Sequence, residues 1–284
     1  MAARTVNARA RRAGLSRRAV GGAFLVLALG TGSAGAAAAE GAPGCMIVAD
    51  VATGALVARE GACAERHSPA STFKVALSLI GFDRGILTGP HAPVWNPPAD
   101  PGRVKTPTDP TSWLDLSVVW YSQHLVRELG AARYAEDVAR LGYGNVDVSG
   151  DPGTGNGMER AWIDSSLRIS PTEQVAFIAA MLRHELPVSD VAISGTRAIM
   201  PSFDAPGMVV RGKTGAAWHR DARGVAQPSD ALAWFVGWAE TDDGRTFAFA
   251  RFAEGPAGGT PRPPIRLRAD VLKRLPQLIG PGAE

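Results

Sequence analysis

The spacing of apolar residues changes along the chain, and each change marks an element. Cys45 to Val51 and Ala55 to Arg59 flank Thr53-Gly54, which predicts two strands around a tight turn. Ser68 then offers a helix N-cap, Pro69 suits the first helical position, and the apolar pattern carries that helix to about Gly81 or Phe82. Residues 88–111 are dense in Pro, Gly, Asp and Thr and predict a loop. Helical spacing resumes over about 113–129, closed by Gly130, and over 131–141, closed by Gly142. Residues 143–160 are again glycine-rich loop, and Ser170-Pro171-Thr172-Glu173 is a capping box opening a helix to about Glu185. Past Pro206 the period drops to two, giving strands at 208–214, 231–240 and 246–252, the last two joined by Asp242-Asp243-Gly244. A helix over about 266–279 closes the chain. Strands at both ends with helices between predict an α+β fold: a central, mainly antiparallel sheet where the two ends of the chain meet, with a helical insert at about 88–205.

The first 39 residues change the reading of charge. They hold six arginines and no acidic residue, then the apolar run Ala19 to Leu29 and the small-residue stretch Gly30 to Ala39. That order is a secretory signal, too short in its apolar part for a stable membrane anchor, and leaves a catalytic domain over 40–284. The whole chain is +3, but without this segment 24 basic residues face 27 acidic ones, a net of −3. The alkaline balance thus belongs to the signal, and nucleic acid loses its main support as a partner. Export to the periplasm also bears on Cys45 and Cys63. Each lies nine residues from Gly54, so the two meet across the open end of the first hairpin. An oxidising compartment favours a disulfide over two buried thiols, at about 3 kcal/mol for a loop of this length.

Candidate chemistry starts at Ser71-Thr72-Phe73-Lys74. A hydroxyl and an amine three residues apart in a first helical turn lie on one face, where the helix dipole favours negative charge. With 16 Ser and four Lys in the chain, roughly 0.2 such matches are expected by chance. Lys213-Thr214-Gly215, at a strand end, is rarer, on the order of 0.02 by chance. An ammonium, a hydroxyl and a bare backbone there suit a carboxylate-bearing substrate, with Gly215 allowing close approach. The chain uses 26 Arg against four Lys, and two of the four lysines stand beside hydroxyls in these motifs. Arginine cannot give up its proton, whereas buried lysine can, so a general base demands Lys even here. The five histidines have no close ligand spacing, which disfavours a metal enzyme.

Ser71-Thr72-Phe73-Lys74, Ser117-Val118-Val119, Tyr143-Gly144-Asn145, Trp162 through Ser170, Lys213-Thr214-Gly215 and Trp234 through Trp238 stand in an order that resembles the class D (oxacillinase-type) β-lactamases, over about residues 45–280. The resemblance implies the β-lactamase/transpeptidase-like fold and hydrolysis of β-lactam antibiotics. It implies Ser71 as nucleophile and Lys74, carbamylated by CO2 or bicarbonate, as general base, with no other cofactor. Ser117 would pass a proton to the departing ring nitrogen. Val119, with Phe73 and Trp162, would dry the lysine pocket, and the Trp162 indole would donate to the carbamate. Lys213, Thr214 and a C-terminal arginine would hold the substrate carboxylate; Arg266 matches best, with Arg262 and Arg268 competing. The N–H groups of Ser71 and Ala216 would form the oxyanion hole, and Gly215 would border it. Tyr143 and Asn145 are assigned positioning duty. Ala216-Ala217 and the loop from His219 to Ser229 depart from the family pattern. Two rivals share these motifs: a β-lactam sensor that stays acylated, and a cell-wall transpeptidase, which Val119 disfavours. A monomer or weak homodimer is expected.

Overall fold

The computed structural model describes residues 44–220, 225–255 and 263–280, so the expected signal at 1–39 and Arg262 lie outside the described residues. The first hairpin forms as its pattern predicts, from β1 (Gly44–Asp50) and β2 (Leu56–Gly61). Asp50 accepts from the Thr53 backbone N–H at 2.8 Å, and Gly54 takes φ +72° to complete the turn. Cys45 and Cys63 are joined by a disulfide.

Helices fill the middle: α1 (Lys74–Asp83), α2 (Pro110–Asp115), α3 (Val119–Leu129), α4 (Ala131–Arg140), α5 (Gly157–Arg160), α6 (Pro171–Leu182) and α7 (Asp190–Ile199). The strands β3 (Ser202–Ala205), β4 (Met208–Arg220), β5 (Ala226–Thr241) and β6 (Thr246–Gly255) follow, then α8 (Pro263–Ile279). The sheet order is β2-β1-β6-β5-β4-β3, and every neighbouring pair is antiparallel. β1 pairs with β6, so the two ends of the chain do meet in the sheet.

Period-two alternation sorts the strand side chains onto two faces. Met46, Val48, Ala233, Phe235, Phe247 and Phe249 pack on one side with the α8 stripe Leu267, Val271, Leu275 and Ile279. Cys45, Ile47, Leu232, Trp234, Val236, Ala250 and Phe252 pack on the other with the helices. α1 lies at the centre of that helical side. Every residue from Lys74 to Phe82 is buried, so up to its last residue this helix has no solvent-facing side.

Three expectations need correction. The helix expected over 113–129 is two helices, broken where Ser117 takes φ +58°. The strands expected at 208–214 and 231–240 run on to Arg220 and back to Ala226, absorbing much of the loop at 219–229. Ser68 does not cap a helix. Ala70 sits at φ +48°, residues Ala70–Phe73 form a 3-10 turn without a side-chain cap, and α1 starts only at Lys74. The Ser68 hydroxyl is spent elsewhere, donating to the Trp162 carbonyl at 3.0 Å and accepting from the Asp164 N–H at 2.8 Å.

Candidate active site

Ser71 occupies the 3-10 turn and Lys74 the first position of α1, and Lys74 Nζ donates to Ser71 Oγ at 3.1 Å. The amine is fully buried while the serine is half-buried, so the serine is the member of the pair that solvent can reach. Burial holds the Lys74 pKa well below the ordinary amine value, and the charges of Lys213 and Arg103 push the same way. A neutral amine hydrogen-bonded to a serine hydroxyl is what nucleophile activation requires.

Lys213 approaches from β4. Its Nζ donates to Ser117 Oγ at 3.0 Å and to the Thr214 carbonyl at 2.9 Å. Burial lowers its pKa to about 7; Asp115 opposes the shift, while Arg103 and Arg268 add to it. Because Ser117 accepts this bond, its own hydroxyl proton is free to point at another acceptor. Gly215 has a packing role that its sequence context did not suggest. A Cβ there would lie 3.0 Å from the Pro69 carbonyl oxygen and 3.0 Å from Thr72 Cγ2, so the missing side chain lets β4 press against the nucleophile turn. Beyond Arg211 the outer edge of β4 has no β3 partner, which leaves Thr214, Gly215 and the exposed Ala216 on an open strand edge.

Trp162 is buried and stacks on Phe73 with ring centroids 5.6 Å apart, directly beside Lys74 in sequence. Val119 does not join this buried group. It is 42% exposed, whereas Val118 is buried, because the break at Ser117 turns the two valines in different directions. Tyr143 is buried, and its Oη accepts from Gln174 Nε2 at 3.1 Å. The same nitrogen donates to Thr72 Oγ1 at 2.9 Å, and Thr72 donates to the Pro69 carbonyl at 2.7 Å. Burial raises the Tyr143 pKa far above the ordinary phenol value, so it remains a neutral brace behind the turn. Asn145 donates to the Ser166 carbonyl at 2.8 Å and accepts from the Arg168 N–H at 2.9 Å. Gly144, at φ +60°, must be glycine because a Cβ would fall 2.1 Å from the Arg168 carbonyl oxygen. Tyr143-Gly144-Asn145 thus clamps the segment that follows Trp162, in keeping with positioning duty.

Arg266 lines a hollow on the α8 side with Arg251, Leu267 and Asp270. Arg268 lies over the Phe203 ring at 4.5 Å, and it is Arg268 whose charge bears on Lys213. Sequence reasoning also missed Gln174, which no motif marks, and Arg103, which donates to the Leu116 carbonyl just before Ser117. Among the described residues no group of three or more His, Cys, Asp or Glu side chains is placed to hold a metal ion.

The family described as the penicillin binding protein transpeptidase domain matches residues 44–271. The chain is 42% identical over 242 residues to β-lactamase OXA-9 of Klebsiella pneumoniae, covering 83% of this chain and 88% of that protein. It is 32% identical over 248 residues to β-lactamase OXA-1 of Escherichia coli, covering 83% and 85%. Among solved structures, the OXA-427 class D β-lactamase superposes with a TM-score of 0.77 at 37% identity, covering 83% of this chain and 98% of that one. With a buried lysine on the serine, a second lysine on Ser117 and an open strand edge beside them, the chain belongs to the transpeptidase-domain family and, within it, to the class D β-lactamases.

Proposed function

We propose that this class D β-lactamase opens the β-lactam ring through an acyl-enzyme on Ser71, with carbamylated Lys74 as general base for acylation and deacylation. The observation that carries the reading is the 3.1 Å contact between Ser71 Oγ and a wholly buried Lys74 amine. Carbon dioxide adds only to an uncharged amine, and burial shifts Lys74 toward that form. The modification would put a carboxylate where the Ser71 proton, and later that of a water, must go.

The other steps fall to the protein's own groups. Ser71 Oγ attacks the lactam carbonyl, and its N–H with that of Ala216 receives the negative oxygen. Lys213 holds Ser117 Oγ as an acceptor, so the Ser117 proton is directed to the leaving ring nitrogen. Lys213, Thr214 and an arginine of α8, Arg266 by its sequence match, would hold the substrate carboxylate. Phe73 and Trp162 form an apolar wall on the lysine side. An exported, periplasmic enzyme fits the disulfide between Cys45 and Cys63.

Intact-mass measurements over time after adding a penicillin test the proposal. Expected are a transient adduct on Ser71 and continuous conversion of substrate to the ring-opened acid. A stoichiometric adduct that persists without turnover would make the protein a sensor instead.

A further inference from the structure

The segment between α1 and α2 carries one arginine that no motif marks. Arg103 is exposed, and one of its terminal N–H groups donates to the carbonyl of Leu116, the residue before Ser117. Ser117 Oγ accepts from Lys213 at 3.0 Å, so the guanidinium is tethered one residue before the hydroxyl that the proposed mechanism directs at the lactam nitrogen. Its charge is felt at both Lys74 and Lys213. A guanidinium has five N–H donors, and the Leu116 bond uses one. Among the described residues no carboxylate pairs with it.

The site therefore holds more positive charge than one substrate carboxylate needs. In the proposed mechanism Lys213, Thr214 and an arginine of α8 hold that carboxylate, while Arg103 stands on the helical side, where its loop meets Leu116. We infer that Arg103 is a specificity-determining residue: its free guanidinium edge receives a second anionic group on the substrate, so the site favours dianionic β-lactams over monoanionic ones of the same shape. This rests on the β-lactamase reading above. A planar fork of donors suits a carboxylate in two-point contact, which exceeds an ordinary surface ion pair.

Benzylpenicillin and carbenicillin differ by one side-chain carboxylate and give a matched pair of probes. The readout is the ratio of kcat/KM for carbenicillin to that for benzylpenicillin. Arg103→Gln is expected to lower this ratio about tenfold, through KM rather than kcat, and Arg103→Lys to lower it less. Lys105→Gln, an exposed neighbour, should leave the ratio unchanged. Raising ionic strength from about 0.02 to about 0.5 M should compress the wild-type ratio, a test that needs no variant. A ratio unmoved by Arg103→Gln and by salt, or an equal loss for both penicillins, would overturn the inference and hand Arg103 to the common carboxylate or to structure alone. Wild-type protein that turns over neither penicillin would instead overturn the enzymatic reading, and the inference with it.

Discussion

Gln174 carries the link between the fold and the nucleophile turn. Its buried amide nitrogen on α6 donates to Thr72 Oγ1 at 2.9 Å and to Tyr143 Oη at 3.1 Å, and Thr72 is the neighbour of Ser71. Gln174→Met keeps the length and burial of the side chain and removes both bonds. A buried neutral hydrogen bond contributes about 1 kcal/mol, so the variant should lose about 2 kcal/mol. In a domain of this size that lowers Tm by roughly 4–8 °C. Tyr143→Phe removes one of the same two bonds and should cost about 1 kcal/mol. Since the two variants delete a shared bond, the double variant should lose about 1 kcal/mol less than the sum of the singles. Urea unfolding of the wild type, both single variants and the double variant measures that coupling, with unchanged m-values confirming comparable unfolded states. Initial-rate assays on the same proteins should show a lower kcat for Gln174→Met, because Ser71 then rests on a looser turn. Strict additivity, or a Gln174→Met loss below about 0.5 kcal/mol, would refute a bracing role for this network.

Other consequences follow from particular contacts. Gly215→Ala would force the Pro69 carbonyl and Thr72 away from contacts of 3.0 Å, so a loss of about 1–3 kcal/mol in urea unfolding and a fall in acylation rate are expected. A fully stable and active variant would mean that β4 does not press on the turn. Tyr134 Oη is buried without a hydrogen-bond partner, so Tyr134→Phe should be neutral or stabilise by up to about 1 kcal/mol; a clear loss would reveal a bound water. Lys213, with a pKa near 7 in the free enzyme, is charged below that pH and neutral above it. Its grip on an anionic substrate should therefore weaken as pH rises through 7, seen as a falling kcat/KM on the alkaline side, and a profile flat to pH 9 would contradict this. Stability shifts the opposite way. The unfolded lysine holds its proton to a higher pH than the folded one, so the protein gains stability between about pH 7 and pH 10.4.

Much of the site was legible because its chemistry needs residue types the rest of the chain avoids. In a chain with four lysines, Lys74 and Lys213 stand out; the structure places Lys74 against Ser71 as its motif suggested, and Lys213 against Ser117, a pairing the motifs did not suggest. The sheet was legible in the alternation of β5 and β6, where successive residues enter opposite cores. What escaped depends on tertiary contacts. Ser68 looks like a cap in isolation, but its hydroxyl ties down the Trp162–Asp164 backbone, leaving Ala70 to make the turn at φ +48°. Ser117 breaks a helix without Gly or Pro, and that break separates the exposure of Val118 from that of Val119. α7 went unread in the sequence, although Ala192, Ile193, Thr196 and Ile199 form its buried stripe and Gly195 lets it pack closely on the Phe82 ring of α1. Arg266 and Arg268 flank the same buried Leu267, so helical period alone could not choose between them.

The most direct test of the central claim is carbon-13 NMR of the enzyme equilibrated with labelled bicarbonate. A carbamylated Lys74 predicts one protein-bound carbamate resonance that is absent in Lys74→Ala, disappears on acidification and returns with added bicarbonate in step with hydrolytic activity. Full turnover with no such resonance, or a resonance that survives in Lys74→Ala, would contradict it.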